Sequence, residues 1–258
     1  MKNILLPISF SETSKNALHY ANLIAKEFGA SISLIHCYSG YDYNREYDFG
    51  ALDYDQGIKQ MLIDFYKKNI EKKDHQPFKV IACEGAVSDN ISKISHKYEL
   101  LILSRRTGYP SKSNVTFSDK LFFLTTTSPC PVLLLPSKRD VFSFSELKNI
   151  WHIQRKDVEM DVIKPQLLKF NIDSNLVTSK SLKQETFTSA FWKNIVNYKK
   201  SKDGSQLKKI YEAYASEHID LLILVKHRIG LFEKFLKNDT FQILSQFDIP
   251  ILILQNKE

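Results

Sequence analysis

Glycine is scarce in this chain. There are eight in 258 residues, and only Gly108 falls in the polar loop that follows the apolar run Leu100 to Leu103. A loop that lets backbone approach a phosphate needs glycine, because a Cβ blocks the approach or because φ must be positive. Cysteine is scarcer still. Cys37, Cys83 and Cys130 are an odd number without CxxC spacing, set in or beside strand-like runs. They read as reduced, buried thiols rather than disulfides or a metal site. No apolar stretch approaches the roughly 18 residues that span a bilayer. The opening "MKNILLPISFSE" reads as a first strand rather than a signal peptide, since its apolar run stops after about five residues without a small-residue cleavage site. A cytoplasmic protein with no membrane partner is expected. No G-x-S-x-G elbow, HExxH, Walker A or kinase signature is present, and no helix-turn-helix, zinc-finger or RNP pattern. No catalytic residue, no metal ligand and no nucleic-acid partner is therefore expected.

What is present is a globular composition, 43% hydrophobic and 25% charged, enough for one large core or two medium ones. The formal charge of +7 is spread evenly, +3 over residues 1–140 and +4 over 141–258. Short basic clusters such as "YKKSK" are mixed with polar residues and read as solvated surface.

The chain also repeats itself. "ELLILSRRTG…CPVLLLP" is echoed by "DLLILVKHRIG…IPILILQ", with Leu100 matching Leu221, Gly108 matching Gly230 and Pro131 matching Pro250. Agreement at several anchors in one order argues for a duplicated domain. The expected organisation is a first domain over 1–137, a polar linker over 138–147 and a second domain over 148–258.

In the first copy strands alternate with helices. "NILLPIS" (3–9), "SISLIHCY" (31–38), "FKVIACEG" (78–85) and the two quoted apolar runs are buried strands. Ser11 caps a helix whose inward face is Ala17, Ala21, Ile24 and Phe28, with Gly29 as its stop. A second helix runs from about Gly57 to Lys72 over Ile58, Met61, Leu62, Phe65 and Tyr66, and a third is capped by Ser88 or Asp89. This order implies a parallel sheet with helices on both faces. The second copy is reduced: strands are expected at 149–154, 174–179 and 194–201, and Pro165 falls where a first helix should run.

"NILLPISFSETSKNALHYANLIAKEFGASISLIHCY", "CEGAVSDNISKISHKYELLILSRRTG" and "SPCPVLLLP" together resemble a universal stress protein (UspA-type) domain, and "DLLILVKHRIGLFEKFLKNDTFQILSQFDIPILIL" resembles the second half of tandem members. The resemblance implies an α/β fold of two Rossmann-like (adenine nucleotide alpha hydrolase-like) parallel-sheet domains, three-layer α/β/α, the second reduced. It also implies that the halves pair within the chain through Val132–Leu135 and Ile251–Leu254. A further homodimer and an unknown protein partner are compatible with it.

Members of the family that bind ATP carry an aspartate after the first strand and a G-x2-G-x9-G-(S/T) loop after the fourth. Here Pro7 and Ile8 match, but Ser9 stands at the aspartate. Only Gly108 survives in the loop: Arg105 takes the first glycine, Ser118 the third, and Asp119 the hydroxyl position. In the second copy His227, Lys237 and Asn238 replace the loop residues, and Gln154 lies near the aspartate position. With Cys37 at the edge of strand two, the candidate pocket is Pro7, Ile8, Ser9, Cys37, Arg105, Gly108, Ser118 and Asp119. Asp119 would put a carboxylate against a triphosphate, a repulsion of roughly 1–4 kcal/mol at intermediate effective dielectric. Ser118 and Asp119 suit a self-capped helix end instead. The expectation is a non-enzymatic stress protein without a cofactor, binding a partner or a small anion through Arg105, Arg106 and Lys112, or Lys226, His227 and Arg228. The alternative is an ATP- or AMP-binding regulator with weak hydrolysis. A nucleotidyl-transfer enzyme of the same superfamily is disfavoured, since HIGH-type and KMSKS-type signatures are absent.

His36 and Cys37 are adjacent on a strand and so point to opposite faces, which precludes joint chemistry. His19 reads as surface, and His96 and His218 as helix ends. The acidic residues Asp42, Asp48, Asp53 and Asp55 lack calcium-loop spacing. With Tyr41, Tyr43, Tyr47, Phe49 and Tyr54 they form a candidate partner-binding loop.

Overall fold

The computed structural model of the chain describes residues 1–38, 53–104, 119–136, 142–154, 160–181, 219–226 and 249–255. They fall into two compact units, Met1–Glu146 and Leu147–Glu258.

In the first unit the strands are β1 (Asn3–Pro7), β2 (Ser31–Tyr38), β3 (Phe78–Glu84), β4 (Leu100–Ser104) and β5 (Val132–Leu135). They lie in the order β3-β2-β1-β4-β5, and every pairing is parallel. Leu5, Leu6, Leu101, Ile102 and Leu133 are all fully buried. Each such side chain contributes about 1.5–3 kcal/mol relative to exposure, and burial on both faces is why these strands read as unbroken apolar runs.

Helix α1 (Glu12–Phe28) begins where the Ser11 hydroxyl accepts the Ser14 N–H, and it ends at Gly29, whose φ of 61° is left-handed. Its buried positions Ala17, Leu18, Ala21, Ile24 and Ala25 form one stripe at helical spacing. Helix α2 (Tyr54–Asn69) starts three residues before the expected Gly57, because the Asp53 carboxylate accepts the Gln56 N–H and caps it. Ile58, Leu62 and Tyr66 are buried as expected, whereas Met61 and Phe65 are only half-buried. Helix α3 (Val87–Ile94) contradicts the expected cap: Ala86 is the N-cap, without a side-chain bond. The Ser88 hydroxyl donates to Asp89 instead. Helix α4 spans Asp119–Thr127. α1 and α2 touch one another, as do α3 and α4. Right-handed crossovers require this, since the strand order runs outward from β1 and then reverses at β4.

Residues 142–146 lie inside the segment expected as a linker, yet they pack on α1. The Glu27 carboxylate accepts the N–H groups of Phe144 and Ser145 at 3.0 and 2.9 Å. Phe144 is buried against Phe28 and Phe142. The two apolar residues in a polar stretch are what hold it.

The second unit contains β6 (Ile150–Gln154), α5 (Met160–Leu168), β7 (Val177–Ser181), β8 (Leu221–Lys226) and β9 (Ile251–Gln255), with strand order β9-β8-β6-β7, again all parallel. β7 lies three residues later than expected, because Ser174–Leu176 form a 3₁₀ turn. The expected strand at 194–201 lies outside the described residues. Pro165 sits inside α5, which runs through it. The proline deprives only the Asp161 carbonyl of its donor, and the helix leaves through Asn171 in the left-handed region.

The described parts of the two units share their pairing. Ile4 and Leu5 pair with Leu100 and Leu101, as Ile150 and Trp151 pair with Leu221 and Leu222. Leu101 N donates to the Pro131 carbonyl at 2.9 Å, and Leu222 N to the Pro250 carbonyl at 3.0 Å. The acid before each "LLIL" does the same work. The Glu99 carboxylate accepts the Lys2 N–H, and Asp220 accepts those of Lys148 and Asn149, both at 2.9 Å. No helix among the described residues is long and apolar enough to cross a membrane.

Candidate functional site

The strand order of the first unit reverses between β1 and β4, and ligands of open α/β sheets bind at the carboxyl ends of strands beside such a reversal. β1 reaches that edge through Pro7 and Ile8. Ile8 N donates to the Ile35 carbonyl at 2.8 Å, extending the pairing with β2 by one residue. Ser9 follows, exposed at the start of a serine cluster. Its N–H donates to Ser14 Oγ at 2.9 Å, and its Oγ lies 3.0 Å from Ser11 Oγ and 2.9 Å from Ser14 Oγ. Ser11 Oγ also meets Thr13 Oγ1 at 2.9 Å. Hydroxyls both donate and accept, so the cluster bonds within itself, and it accepts the Ser14 N–H in the first turn of α1.

Phe10 has φ 55°, an outlier for a bulky residue that costs about 1–3 kcal/mol and persists only where neighbours enforce it. Those neighbours are His36, ring centroid 4.8 Å away, and Phe65 in an edge contact at 5.6 Å. His36 Nδ1 in turn lies 2.8 Å from the Ile8 carbonyl. The left-handed turn thus lays an aromatic ring over the end of β2.

Cys37 points elsewhere. Its Sγ is 3.1 Å from Cys83 Sγ on β3, and Cys83 donates a long bond of 3.6 Å to the His36 carbonyl. The hydrogen bond from Cys37 holds the Cys83 thiol below its usual pKa, against the effects of burial and the Asp55 carboxylate. The same bond, with burial, pushes Cys37 well up. These two cysteines are half-buried, contrary to the expectation of buried thiols; only Cys130 is buried. Beyond them the Tyr38 hydroxyl donates to Asp55 at 2.8 Å and Lys59 pairs with the same carboxylate at 2.8 Å. The hydrogen bond from Lys59 holds Asp55 below the ordinary carboxylate range.

Of the expected pocket, then, Pro7, Ile8 and Ser9 stand at the reversal point, while the contacts of Cys37 run to β3. Asp119 opens α4. Arg105, Gly108 and Ser118 lie outside the described residues, as do Arg106, Lys112, His218, His227, Arg228, Gly230, Lys237, Asn238 and the loop 39–52. Tyr54 belongs to α2 and is buried rather than part of a loop. His19 is half-buried, not surface, and burial lowers its pKa. His96 sits in the 3₁₀ turn Ser95–Lys97 that follows α3. Phe10, Ser11, Ser14, His36, Phe65 and Cys83 were not among the expected site residues. The serine spacing in "SFSETS" was the one signal on offer. No group of three or more His, Cys, Asp or Glu among the described residues is arranged to hold a metal.

Residues 1–136 match the universal stress protein family. The chain belongs to that family. No curated protein matches it. Among solved structures, a universal stress protein from Archaeoglobus fulgidus DSM 4304 is 14% identical with TM-score 0.59, covering 98% of this chain and 96% of that one. A Pseudomonas aeruginosa UCBPP-PA14 protein assigned to the same family is 15% identical with TM-score 0.59, covering 99% and 93%. A protein of unknown function from Pseudomonas aeruginosa PAO1 is 14% identical with TM-score 0.57 over the same shares. At these identities the likeness is one of fold. In this universal stress protein, the serine cluster and Phe10 follow directly on β1, at the strand end beside the reversal.

Proposed function

We propose that this chain is a tandem universal stress protein that acts without catalysis, by binding a protein partner or a small anion in the stress response, its nucleotide loops degenerate in both copies. One observation carries the reading. The Ser9 hydroxyl is bonded to Ser11 and Ser14, and Phe10 lies across His36 beside it. A ribose would have to displace those bonds and would gain a neutral hydroxyl where a carboxylate serves other members. Arg105 and Asp119 at loop positions of glycine and hydroxyl residues point the same way.

The shared pairing of the two units and the matching roles of Glu99 and Asp220 support duplication. β5 and β9 each pair with one strand of their own unit; β5 is apolar throughout, and β9 is apolar over Ile251–Leu254. An open edge of that composition invites aggregation, which supports pairing of the halves through Val132–Leu135 and Ile251–Leu254.

A thermal shift on the full chain with millimolar ATP, AMP, cyclic AMP and phosphate tests the reading. A ligand at 100 times its Kd adds about 2.7 kcal/mol and visibly raises Tm. The expected result is no rise with any nucleotide. A clear rise with ATP or AMP would transfer the assignment to a nucleotide-binding regulator using the Ser9 pocket.

A further inference from the structure

Cys37 and Cys83 are register partners on β2 and β3. Register partners on adjacent parallel strands project to the same face of the sheet. Neighbouring strands run about 4.8 Å apart, which sets the Cα atoms of register partners inside the roughly 4.4–6.8 Å that a disulfide accepts. The sulfurs are 3.1 Å apart. A disulfide measures about 2.05 Å, so about 1 Å of approach completes it, within reach of side-chain rotation. Both cysteines are half-buried, whereas Cys130 is 4% exposed.

We propose that Cys37 and Cys83 form an oxidation site for hydroperoxides, closing to an intrachain disulfide across β2 and β3 at the carboxyl edge of the first sheet. Cys83 reacts first: its own proton is directed at the His36 carbonyl, which leaves the Cys37 thiol to donate across the 3.1 Å contact and to stabilise the Cys83 thiolate. The thiolate sulfur attacks a peroxide oxygen, the O–O bond breaks, and the leaving oxygen departs as water or an alcohol with a proton from solvent. Cys83 is then a sulfenic acid. Cys37 loses its proton and attacks the Cys83 sulfur; the S–S bond forms, the S–O bond breaks, and hydroxide leaves as water with that proton. In sum two thiols give two electrons and two protons, and one hydroperoxide becomes alcohol and water.

The bond would pin the place where the chain leaves the sheet. Gly85, at φ 104°, donates its N–H to the Tyr38 carbonyl at 2.8 Å, and Tyr38 in turn holds Asp55 at the head of α2. Oxidation therefore changes the covalent constraint on two turns at the ligand edge, whether or not a nucleotide binds there.

Reduced full-length protein is exposed to hydrogen peroxide, then unfolded in guanidinium and alkylated with iodoacetamide, digested and read by mass spectrometry. The Cys37 and Cys83 peptides are expected joined, two hydrogens lighter and separable by dithiothreitol, with Cys130 alkylated. Cys37→Ser should stop at a Cys83 sulfenic acid that dimedone traps, while Cys83→Ser should slow loss of the Cys37 thiol by about ten-fold. The proposal fails if both thiols of the wild-type chain stay alkylatable in peroxide that oxidises glutathione. A bond made through Cys130 or between chains would also overturn it, and so would dimedone labelling Cys37 in Cys83→Ser as fast as Cys83 in Cys37→Ser.

Discussion

The central strands of the two units make the most instructive comparison. β1, "NILLP", and β6, "IWHIQ", hold the same place, each paired in parallel on both sides with partners in matching register. β1 buries Ile4, Leu5 and Leu6. β6 buries Ile150 and Trp151 but then His152, at 0% exposure and with no partner for Nε2 among the described residues. Their neighbours diverge as well: β2 is largely buried, whereas Thr178 and Ser179 of β7 are exposed. Backbone hydrogen bonding and a core of apolar contacts set the register, and the side chains away from those contacts are free to drift.

The largest effects should come from testing whether the shared register implies shared energetics. Leu101 and Leu222 occupy equivalent positions beside Pro131 and Pro250. Truncating either to alanine should cost about 2–5 kcal/mol of unfolding free energy in urea titrations, from lost transfer energy and the cavity left behind. A loss below about 1 kcal/mol for Leu222→Ala alone would break the equivalence.

His152 should separate the units by pH. Burial lowers its pKa from 6.5 to about 4. Between those values the unfolded chain binds a proton that the folded chain does not, so stability rises with pH across this window and falls as pH drops from 6.5 toward 4. The expected loss is on the order of 2 kcal/mol. Asp55 and Asp74 have depressed pKa values, by hydrogen bonds from Lys59 and Lys26 respectively, and also favour higher pH. The informative quantity is therefore the difference between wild type and His152→Leu, which should have the flatter profile. Identical slopes would show that the imidazole is not what titrates.

The smallest effect sharpens the comparison of the two acids. Asp220 accepts two backbone N–H bonds, and its change to alanine should cost about 1–2 kcal/mol. Glu99 has a half-exposed side chain, so Glu99→Ala should cost under about 1 kcal/mol, as exposed charge interactions do. A reversed order in chemical denaturation would mean that the acid supports the first sheet more than the second.

Much of the fold was legible because buried parallel strands announce themselves as unbroken apolar runs, and Ser11 and Gly29 bracket α1 by local chemistry alone. Where local signals competed, reading failed. Asp53 looked like part of an acidic loop until its carboxylate proved to cap α2, and Ser88 and Asp89 bond each other instead of the helix end. Pro165 promised a break but falls where one carbonyl can go without its donor. At the site, Ser9 and the serines after it were visible, yet the engagement of Ser9 with Ser14 and the turn at Phe10 depend on how α1 leaves β1.

By itself the sequence determined the alternation of strands and helices, the echo between two halves and the presence of one glycine, Gly108, in the polar loop after Leu100–Leu103, since these rest on periodicity and on which residue types stand where. Only the tertiary structure decided that Cys37 faces Cys83, that Phe10 covers His36 and that His152 is buried with no partner for Nε2 among the described residues. The first two are contacts between residues 46 and 26 positions apart, and all three follow from strand register, which long-range pairing fixes and local sequence does not.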